Sequence, residues 1–277
     1  MKFIITLFLL STHVFLFGQS ISGTVLEMNA DIPVEYVNIG IVGKNVGTVS
    51  DQYGRYTLQI SPEYQDDTLR FSCIGYHSYS VKVADFIHLN NGNVGLEKRM
   101  CELEKVVARP KKLKHKTLGI NTKSKINQVC HGGYEENATN TGGAELGILI
   151  KNKETVFIKE LNFNLVKFSF DTVLFRINIY KPHKYIQFEN ILCNPFYVSI
   201  SEQKIVKDKI TIDLRHLNIV VKEDFLVTFE LVKLKQDFSI CFCANDKQNS
   251  YGRCASQGVW ETLPAGISIS ALVDVEK

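Results

Sequence analysis

Short runs in which every second residue is apolar recur along most of the chain, and they limit the fold more than any other feature. Val173, Phe175, Ile177 and Ile179 form the clearest run. Alternation with a period of two is typical of a β-strand that buries one face. No window of the sequence carries a convincing apolar stripe of helical spacing over several turns. The sequence therefore predicts an all-β protein.

Turn-forming residues divide these runs into two groups, which predicts two domains. The chain has 277 residues, and a domain usually takes roughly 100–200. Residues 20–108 hold about seven short runs, which fits a small β-sandwich. Residues 144–277 fit a second antiparallel β-sandwich, of which a jelly roll is one form. Within it, a change of phase at Lys159 and Glu160 predicts a β-bulge.

The first 19 residues have the order of a secretory signal peptide. Lys2 is a short positive region, the stretch from Phe3 to Phe17 is mostly apolar, and small and polar residues follow it. The apolar stretch is shorter than the ~20 residues of a membrane-spanning helix. The pattern predicts export, with cleavage near Gln19, to the periplasm, the outer membrane or the medium. The mature chain is expected to contain no transmembrane segment.

Several sequence blocks of the first domain occur in a characteristic order. Residues 47–56 read GTVSDQYGRY, residues 69–76 read LRFSCIGY, and residues 103–107 read LEKVV. In this order they resemble the carboxypeptidase-regulatory-like domain, a transthyretin-like sandwich common in exported Bacteroidota proteins. The resemblance covers residues 20–108. It implies a module without a peptidase of its own, which acts in folding, docking or contact with cell-surface assemblies.

Asp51 and Gly54 belong to the most specific of these blocks. Gly54 falls where a tight hairpin needs permissive backbone angles. Asp51 is expected to accept backbone N–H groups within its turn. A calcium site is the alternative, but it needs several oxygen ligands close together and this turn offers one carboxylate.

Residues 109–143 are predicted to separate the two domains. Seven lysines and arginines lie between Arg109 and Lys125, and no acidic residue interrupts them. Glycine, asparagine and threonine dominate residues 131–143. This composition predicts a solvated basic linker followed by a mobile loop. Contact of the basic run with an acidic surface, such as anionic lipid head groups, is the alternative.

Seven cysteines allow bridges but leave at least one thiol free. If a bridge forms, the predicted pair to test first joins Cys241 or Cys243 to Cys254. The alternatives are buried free thiols, a redox pair formed by Cys241 and Cys243, and a soft-metal site built from all three. The full set is Cys73, Cys101, Cys130, Cys193, Cys241, Cys243 and Cys254.

The sequence contains none of the common catalytic patterns. It has no closely spaced His and Glu set for zinc, no nucleophile elbow and no phosphate-binding glycine loop. Lys+Arg 32 against Asp+Glu 29 gives no strong field for nucleic acid. We therefore expect an exported, non-enzymatic binding or structural protein of the cell envelope, without a cofactor. The alternatives are an accessory subunit of a TonB-dependent outer-membrane uptake complex and a hydrolase with an unrecognised C-terminal site.

Tyr251, Arg253 and Trp260 are the predicted ligand-binding residues. Trp260 is the only tryptophan of the chain, and the loops at the ends of sandwiches often carry recognition. Aromatic faces stack on sugar rings and peptides, and a guanidinium donates hydrogen bonds to them. A glycan, a peptidoglycan fragment or an envelope protein is the expected partner. The alternative is a tryptophan that closes one end of the core. A further set is predicted to form surface pairs: Asp171, Arg176, Asp213 and Arg215.

Overall fold

The computed structural model describes residues 18–88, 91–100, 113–132, 142–183, 186–233 and 239–276. They form two β-sandwiches that follow one another along the chain. Of the predicted signal segment, all but Gly18 and Gln19 lies outside the described residues. The prediction of an all-β protein is confirmed.

The first sandwich packs a three-stranded sheet, in the order β4-β1-β7, against a four-stranded sheet, in the order β3-β2-β5-β6. Its core comes from the inward positions of the alternating runs, such as Val25, Leu58 and Phe71, each fully buried. The single α-helix described is six residues long, and no helix among the described residues is long and apolar enough to cross a membrane. The elements are β1 (Gln19–Glu27), β2 (Asn38–Ile41), β3 (Gly47–Val49), β4 (Arg55–Ile60), a 3₁₀ turn (Pro62–Tyr64), β5 (Thr68–Ser72), β6 (Tyr79–Lys82), α1 (Val83–His88) and β7 (Val94–Leu96).

The second sandwich spans β8 (Leu113–Gly119), β9 (Asn127–Gly132), β10 (Glu145–Ile150), β11 (Val156–Ser169), β12 (Thr172–His183), β13 (Gln187–Asn190), β14 (Phe196–Ser201), β15 (Lys209–Asp213), β16 (Val220–Val221), β17 (Phe225–Lys233), β18 (Ser239–Asn245), β19 (Ser250–Arg253), β20 (Glu261–Leu263), β21 (Gly266–Ile267) and β22 (Ile269–Glu276), with 3₁₀ turns at Glu202–Lys204 and Arg215–Leu217. Its seven-stranded sheet has the order β13-β12-β17-β10-β19-β20, with β14 also on β12. Its eight-stranded sheet has the order β21-β18-β11-β22-β8, with β15 and β16 also on β11 and β9 on β18. The two sheets enclose one apolar core.

Three local predictions are confirmed. The register of β11 against β22 shifts between Ile158 and Glu160, where the change of phase predicted a bulge. The Asp51 carboxylate accepts the backbone N–H groups of Tyr53 and Arg55 at 2.8 and 2.9 Å. Gly54 has φ +72, a left-handed conformation that favours glycine.

The segment predicted to be a linker contributes two strands to the second sandwich, so the linker prediction is wrong for these residues. β8 pairs along its length with β22, and β9 pairs with β18. β8 lies at the edge of its sheet, where lysines are compatible with a strand because one side of the strand faces solvent. Its stability comes largely from the backbone ladder, which composition does not reveal. Residues 109–112 and 133–141 lie outside the described residues.

The predicted pairing of Cys241 or Cys243 with Cys254 is wrong. Cys241 is bonded to Cys130, which stands directly opposite it on β9. Cys243 and Cys254 are free thiols. Sequence reasoning missed the partner strand because β9 lies in the segment predicted to separate the two domains.

The Cys130–Cys241 disulfide closes a segment of 111 residues, so its loss should destabilise the oxidised protein. We expect the Cys130→Ser/Cys241→Ser variant to lose about 2–5 kcal/mol in the free energy of unfolding. Urea unfolding of both proteins measures the difference. Cys254→Ser, which changes an exposed free thiol, is the control and should stay within about 0.5 kcal/mol of the parent. Equal stability of all three proteins would contradict the bridge.

A loop of the second sandwich enters the first sandwich at Ser256. The carbonyl oxygen of Ser256 packs against Gly40 and Gly47, where an added Cβ would lie 2.2 and 2.3 Å from it. The Ser256 hydroxyl donates to Asn38 Oδ1 at 3.0 Å. Gly40 and Gly47 are therefore needed for this close approach between the two domains.

The next residue, Gln257, extends the same contact. Its Nε2 donates to Ser72 Oγ at 2.7 Å, and its carbonyl accepts the N–H of Gly43 at 3.0 Å. Gln257 has φ 61, which is uncommon for a residue with a side chain. Backbone and side chain of one loop thus both bind the first sandwich.

Gly47→Ala should weaken this interface. The added methyl group would collide with the Ser256 carbonyl, so we expect the free energy of unfolding to fall by about 1–3 kcal/mol. Gly95→Ala is the matched control, because its Cβ would lie 3.5 Å from the nearest atom, Met28 Cα. Thermal unfolding compares the two variants. A Gly47→Ala protein as stable as Gly95→Ala would show that the contact is not tight.

Candidate functional site

The outer face of the seven-stranded sheet carries a row of four charged side chains. Arg176 on β12 pairs with Glu230 on β17. Glu230 stands opposite Glu145 on β10, and Glu145 stands opposite Arg253 on β19. The row therefore crosses four adjacent strands with an arginine at each end and two carboxylates in the middle.

Arg176 and Glu230 form a bidentate ion pair at one end of the row. Arg176 Nε donates to Glu230 Oε2 at 2.9 Å, and Arg176 Nη2 donates to Glu230 Oε1 at 2.6 Å. Each side chain is 1% exposed, so the prediction that Arg176 forms a surface pair is wrong. The first sandwich covers this end of the sheet, and Arg176 Nη1 donates to the carbonyl of Tyr36 at 2.8 Å. Asp213 and Arg215, predicted with it, do lie at the surface, 3.5 Å apart.

Glu145 is the most heavily bonded carboxylate of the row. Its Oε1 accepts from Asn178 Nδ2 and the Tyr180 hydroxyl, both at 2.8 Å, and from the Thr228 hydroxyl. Its Oε2 accepts from Arg253 Nε at 2.9 Å and forms an ion pair with Arg253 Nη2 at 2.7 Å. A buried carboxylate with this many donors is satisfied without water.

Burial and neighbouring charges shift the pKa values of the side chains in and beside the row. Burial raises the pKa of Glu230, but the charge and hydrogen bonds of Arg176 outweigh burial, so the net pKa lies below its usual value. Burial lowers the pKa of Arg176, and Glu230 reverses this and raises it. Burial and then the charge of Glu145 raise the pKa of Tyr180 well above its usual value. Tyr180 therefore stays protonated and donates to Glu145.

An aromatic cluster lies beside Arg253 at the other end of the row. The Phe188 ring centroid lies 5.0 Å from that of Trp260 and 5.6 Å from that of Tyr251, in edge-to-face contacts. The Tyr180 ring lies 5.8 Å from Trp260. Phe188, Tyr251 and Trp260 are each half-buried, and we call these three residues the aromatic cluster.

The structure places the three predicted site residues around this cluster, but not in one loop. Tyr251 and Arg253 lie on β19, and Trp260 lies in the segment just before β20. The residue that sequence reasoning missed is Phe188 on β13, which contacts both predicted aromatic residues. Its strand reads QFEN, so a single aromatic residue among polar neighbours gave no signal of its location.

Arg253 packs against the cluster from inside the protein and does not project into the solvent. Its guanidinium lies 5.0 Å over the Trp260 ring centroid, at a cation–π distance. The same group is bonded to Glu145 and its side chain is 12% exposed. The donors that were predicted to bind a ligand are therefore engaged inside the protein. The surface left for recognition is aromatic.

The CarboxypepD_reg-like domain family matches residues 21–108. We call this segment the CarboxypepD_reg-like domain, after the family that it matches. The resemblance read from the sequence blocks is thereby confirmed, and the transthyretin-like fold of the family agrees with the first sandwich. The match ends before β8, so it leaves the charge row and the aromatic cluster of the second sandwich unassigned.

Two solved virus structures align with the chain at low similarity. They are of infectious bursal disease virus, Gt strain and Gx strain, with 10% and 11% sequence identity and TM-scores of 0.29 and 0.22. The alignments cover 92% and 93% of this chain but 55% and 60% of the viral chains, so the chain spans less than two thirds of their length. Scores this low carry no argument about fold or function. Among curated proteins, none matches the chain.

Metal ligation was an alternative for the cysteines of the second sandwich. Cys241 is in a disulfide, so its sulfur is not available as the thiolate ligand that soft metals require. In the part of the chain that the structure describes, no three His, Cys, Asp or Glu residues are grouped so that they could hold a metal ion. The three-cysteine site is therefore excluded.

Replacing Arg176 should expose the cost of an unpaired buried carboxylate. We expect Arg176→Met to lower the free energy of unfolding by about 3–5 kcal/mol at pH 7, because Glu230 loses its partner. Adding Glu230→Leu should recover part of this loss, because it removes the stranded charge. Urea unfolding of the parent, the single and the double variant measures both steps. A double variant no more stable than Arg176→Met would contradict the explanation.

The same variant should change the pH dependence of stability. In the parent, the lowered pKa of Glu230 contributes stability above the usual value of 4.5, and this is lost as the pH falls. In Arg176→Met, burial still raises that pKa, and of the groups that lower it only Arg253 and the Asn178 hydrogen bond remain. We therefore expect Glu230 to be protonated more easily in acid, which removes the unpaired buried charge. The stability difference between the two proteins should therefore shrink between pH 7 and pH 4. A constant difference would show that lost packing, and not charge, dominates.

Proposed function

We propose that the chain is an exported, non-enzymatic binding protein of the cell envelope, and that its aromatic cluster contacts a glycan. The observation that carries this proposal is the grouping of three half-buried aromatic rings on a firmly bonded support. All three rings offer apolar faces for stacking, and Tyr251 and Trp260 also carry a hydrogen-bonding group.

The apolar surroundings of the cluster support a recognition role. Ile186 and Val259 flank Phe188 and Trp260 in the chain, and they are 44% and 47% exposed. Contiguous exposed apolar surface in a soluble domain commonly marks a site of interaction. Glu145 holds Arg253 in place, and the Arg253 guanidinium lies over the Trp260 ring. Contacts that are organised before the ligand arrives reduce the entropy lost on binding.

Two features support export. Residues 1–19 have the order of a signal peptide. The Cys130–Cys241 bridge is of the kind that persists in the oxidising space outside the cytoplasm and is rare inside it. These features agree with a place in the cell envelope.

A role in binding fits the chemistry at the cluster better than catalysis does. Glu145 accepts hydrogen bonds from both Tyr180 and Arg253, the two groups that contact the Trp260 ring. A general acid or base must reach the proton that it transfers. With these groups engaged, binding is the activity that the surface supports, and hydrolysis stays the alternative.

A glycan and peptidoglycan-fragment array on the described two-domain protein tests the proposal. Trp260→Ala should reduce binding of any bound glycan at least about tenfold, because a lost stacking partner is worth on the order of 1.4 kcal/mol. Tyr251→Ala should also weaken binding. Thermal unfolding establishes that each variant is folded before its binding is compared.

Tyr53→Ala is the matched control. Tyr53 is an exposed aromatic residue of the CarboxypepD_reg-like domain, and its ring also has an arginine, Arg55, 5.3 Å from its centroid. Its loss should leave binding unchanged. Binding that survives Trp260→Ala, or a folded parent protein that binds no glycan, would overturn the proposal.

A further inference from the structure

A cleft of about 430 Å³ lies where the two sandwiches meet. One wall comes from the CarboxypepD_reg-like domain, through residues 33–35, 73–76 and 98–99. The other wall is the segment between β13 and β14, at residues 193–195. Its volume lies within the range of roughly 300–1,000 Å³ for small-molecule sites, which favour domain interfaces.

The walls of the cleft are close together at one point and rigid on both sides. Gly75 has φ +88, and a Cβ there would lie 3.0 Å from the carbonyl oxygen of Cys193. The Gly75 carbonyl accepts the N–H of Arg99 at 2.8 Å. Cys193 is disulfide-bonded. The backbone therefore fixes the position of Arg99 relative to the cleft.

The lining of the cleft is mixed, with about as much polar as apolar surface. Val34 is buried and Ile74 and Pro195 are half-buried along its walls. Burial raises the pKa of the Cys73 thiol to about 11, so this lining group stays protonated and uncharged at neutral pH. An uncharged thiol behaves as a small apolar group and a weak nucleophile.

Charged groups of both signs lie at the exposed rim. Lys98 is paired with Glu27 at 2.8 Å. Within the described residues, neither Arg99 nor Glu35 forms an ion pair, and both side chains line the cleft and are exposed. Both residues line the same cleft, so a simple anion at Arg99 would share the site with the like charge of Glu35. A ligand that carries both charges satisfies both groups.

We propose that this cleft binds a short apolar peptide as a zwitterion, with its α-carboxylate at Arg99 and its α-ammonium at Glu35. The apolar side chains of the peptide pack against Val34, Ile74 and Pro195. None of the residues that line the cleft belongs to the aromatic cluster. The cleft binds its ligand through charge, whereas the cluster binds through stacking. No bond is made or broken in it.

Calorimetric titration of the full chain with leucyl-leucine tests this proposal. The free dipeptide should bind, and its C-terminal amide and N-acetyl derivatives should each bind at least about tenfold more weakly, because hydrogen bonds to charged groups are worth about 1.5–3 kcal/mol. Arg99→Gln should remove the preference for the free carboxylate, and Glu35→Gln should remove the preference for the free ammonium.

Arg55→Gln, an exposed arginine of the same domain outside the cleft, is the control and should bind like the parent. Trp260→Ala should also bind the dipeptide normally, which separates this site from the aromatic cluster. No binding of leucyl-leucine at millimolar concentration would overturn the proposal. So would binding that is insensitive to Arg99→Gln, or that is equally tight for the N-acetyl derivative.

Discussion

Four charged side chains on the outer face of one sheet determine how the second sandwich is covered. Glu230 and Glu145 stand side by side on neighbouring strands and are both buried. Two like charges in this position repel each other and lose their hydration, which is costly without cations. Arg176 and Arg253 supply one cation on each side, and Asn178 Nδ2 bridges the two carboxylates at 2.8 and 2.9 Å. The face can be buried only while both arginines are held in place.

The two ends of this row contact the CarboxypepD_reg-like domain and the aromatic cluster. Arg176 donates its remaining bond to the CarboxypepD_reg-like domain through the Tyr36 carbonyl, and Arg253 lies over Trp260. A second contact joins the domains through Ser256, three residues beyond Arg253. The packing of the first domain and the position of the aromatic cluster therefore depend on the same short segment of chain. When one domain covers a polar sheet face of another, each buried polar group needs a hydrogen-bond or ion-pair partner. This requirement favours one relative orientation of the two domains.

The sequence predicted those features that depend on neighbouring residues. The alternation of β12, the bulge near Glu160 and the Asp51 turn are local, and each was found where predicted. Burial of Arg176 was missed because its strand alternates as an amphipathic strand does, and its contact with Tyr36 of the first domain cannot be inferred from the local sequence. β8 and β9 were missed because their stability comes from partners more than 100 residues away. The site followed the same rule: Tyr251, Arg253 and Trp260 are close in sequence, whereas Phe188 reaches them through the fold.

The occupied guanidinium of Arg253 limits what the aromatic cluster can recognise. If Arg253 turned outward to bind a ligand, Glu145 would keep its three neutral donors but lose the one direct cation that it has among the described residues. A buried carboxylate without a cation costs several kcal/mol, more than one exposed hydrogen bond to a ligand returns. In the proposed binding mode Arg253 therefore stays in place, and selectivity would come from the shape of the rings of Phe188, Tyr251 and Trp260. A surface of this kind discriminates ligands by their apolar faces and tolerates differences in charge, which is the opposite of the cleft at Arg99 and Glu35.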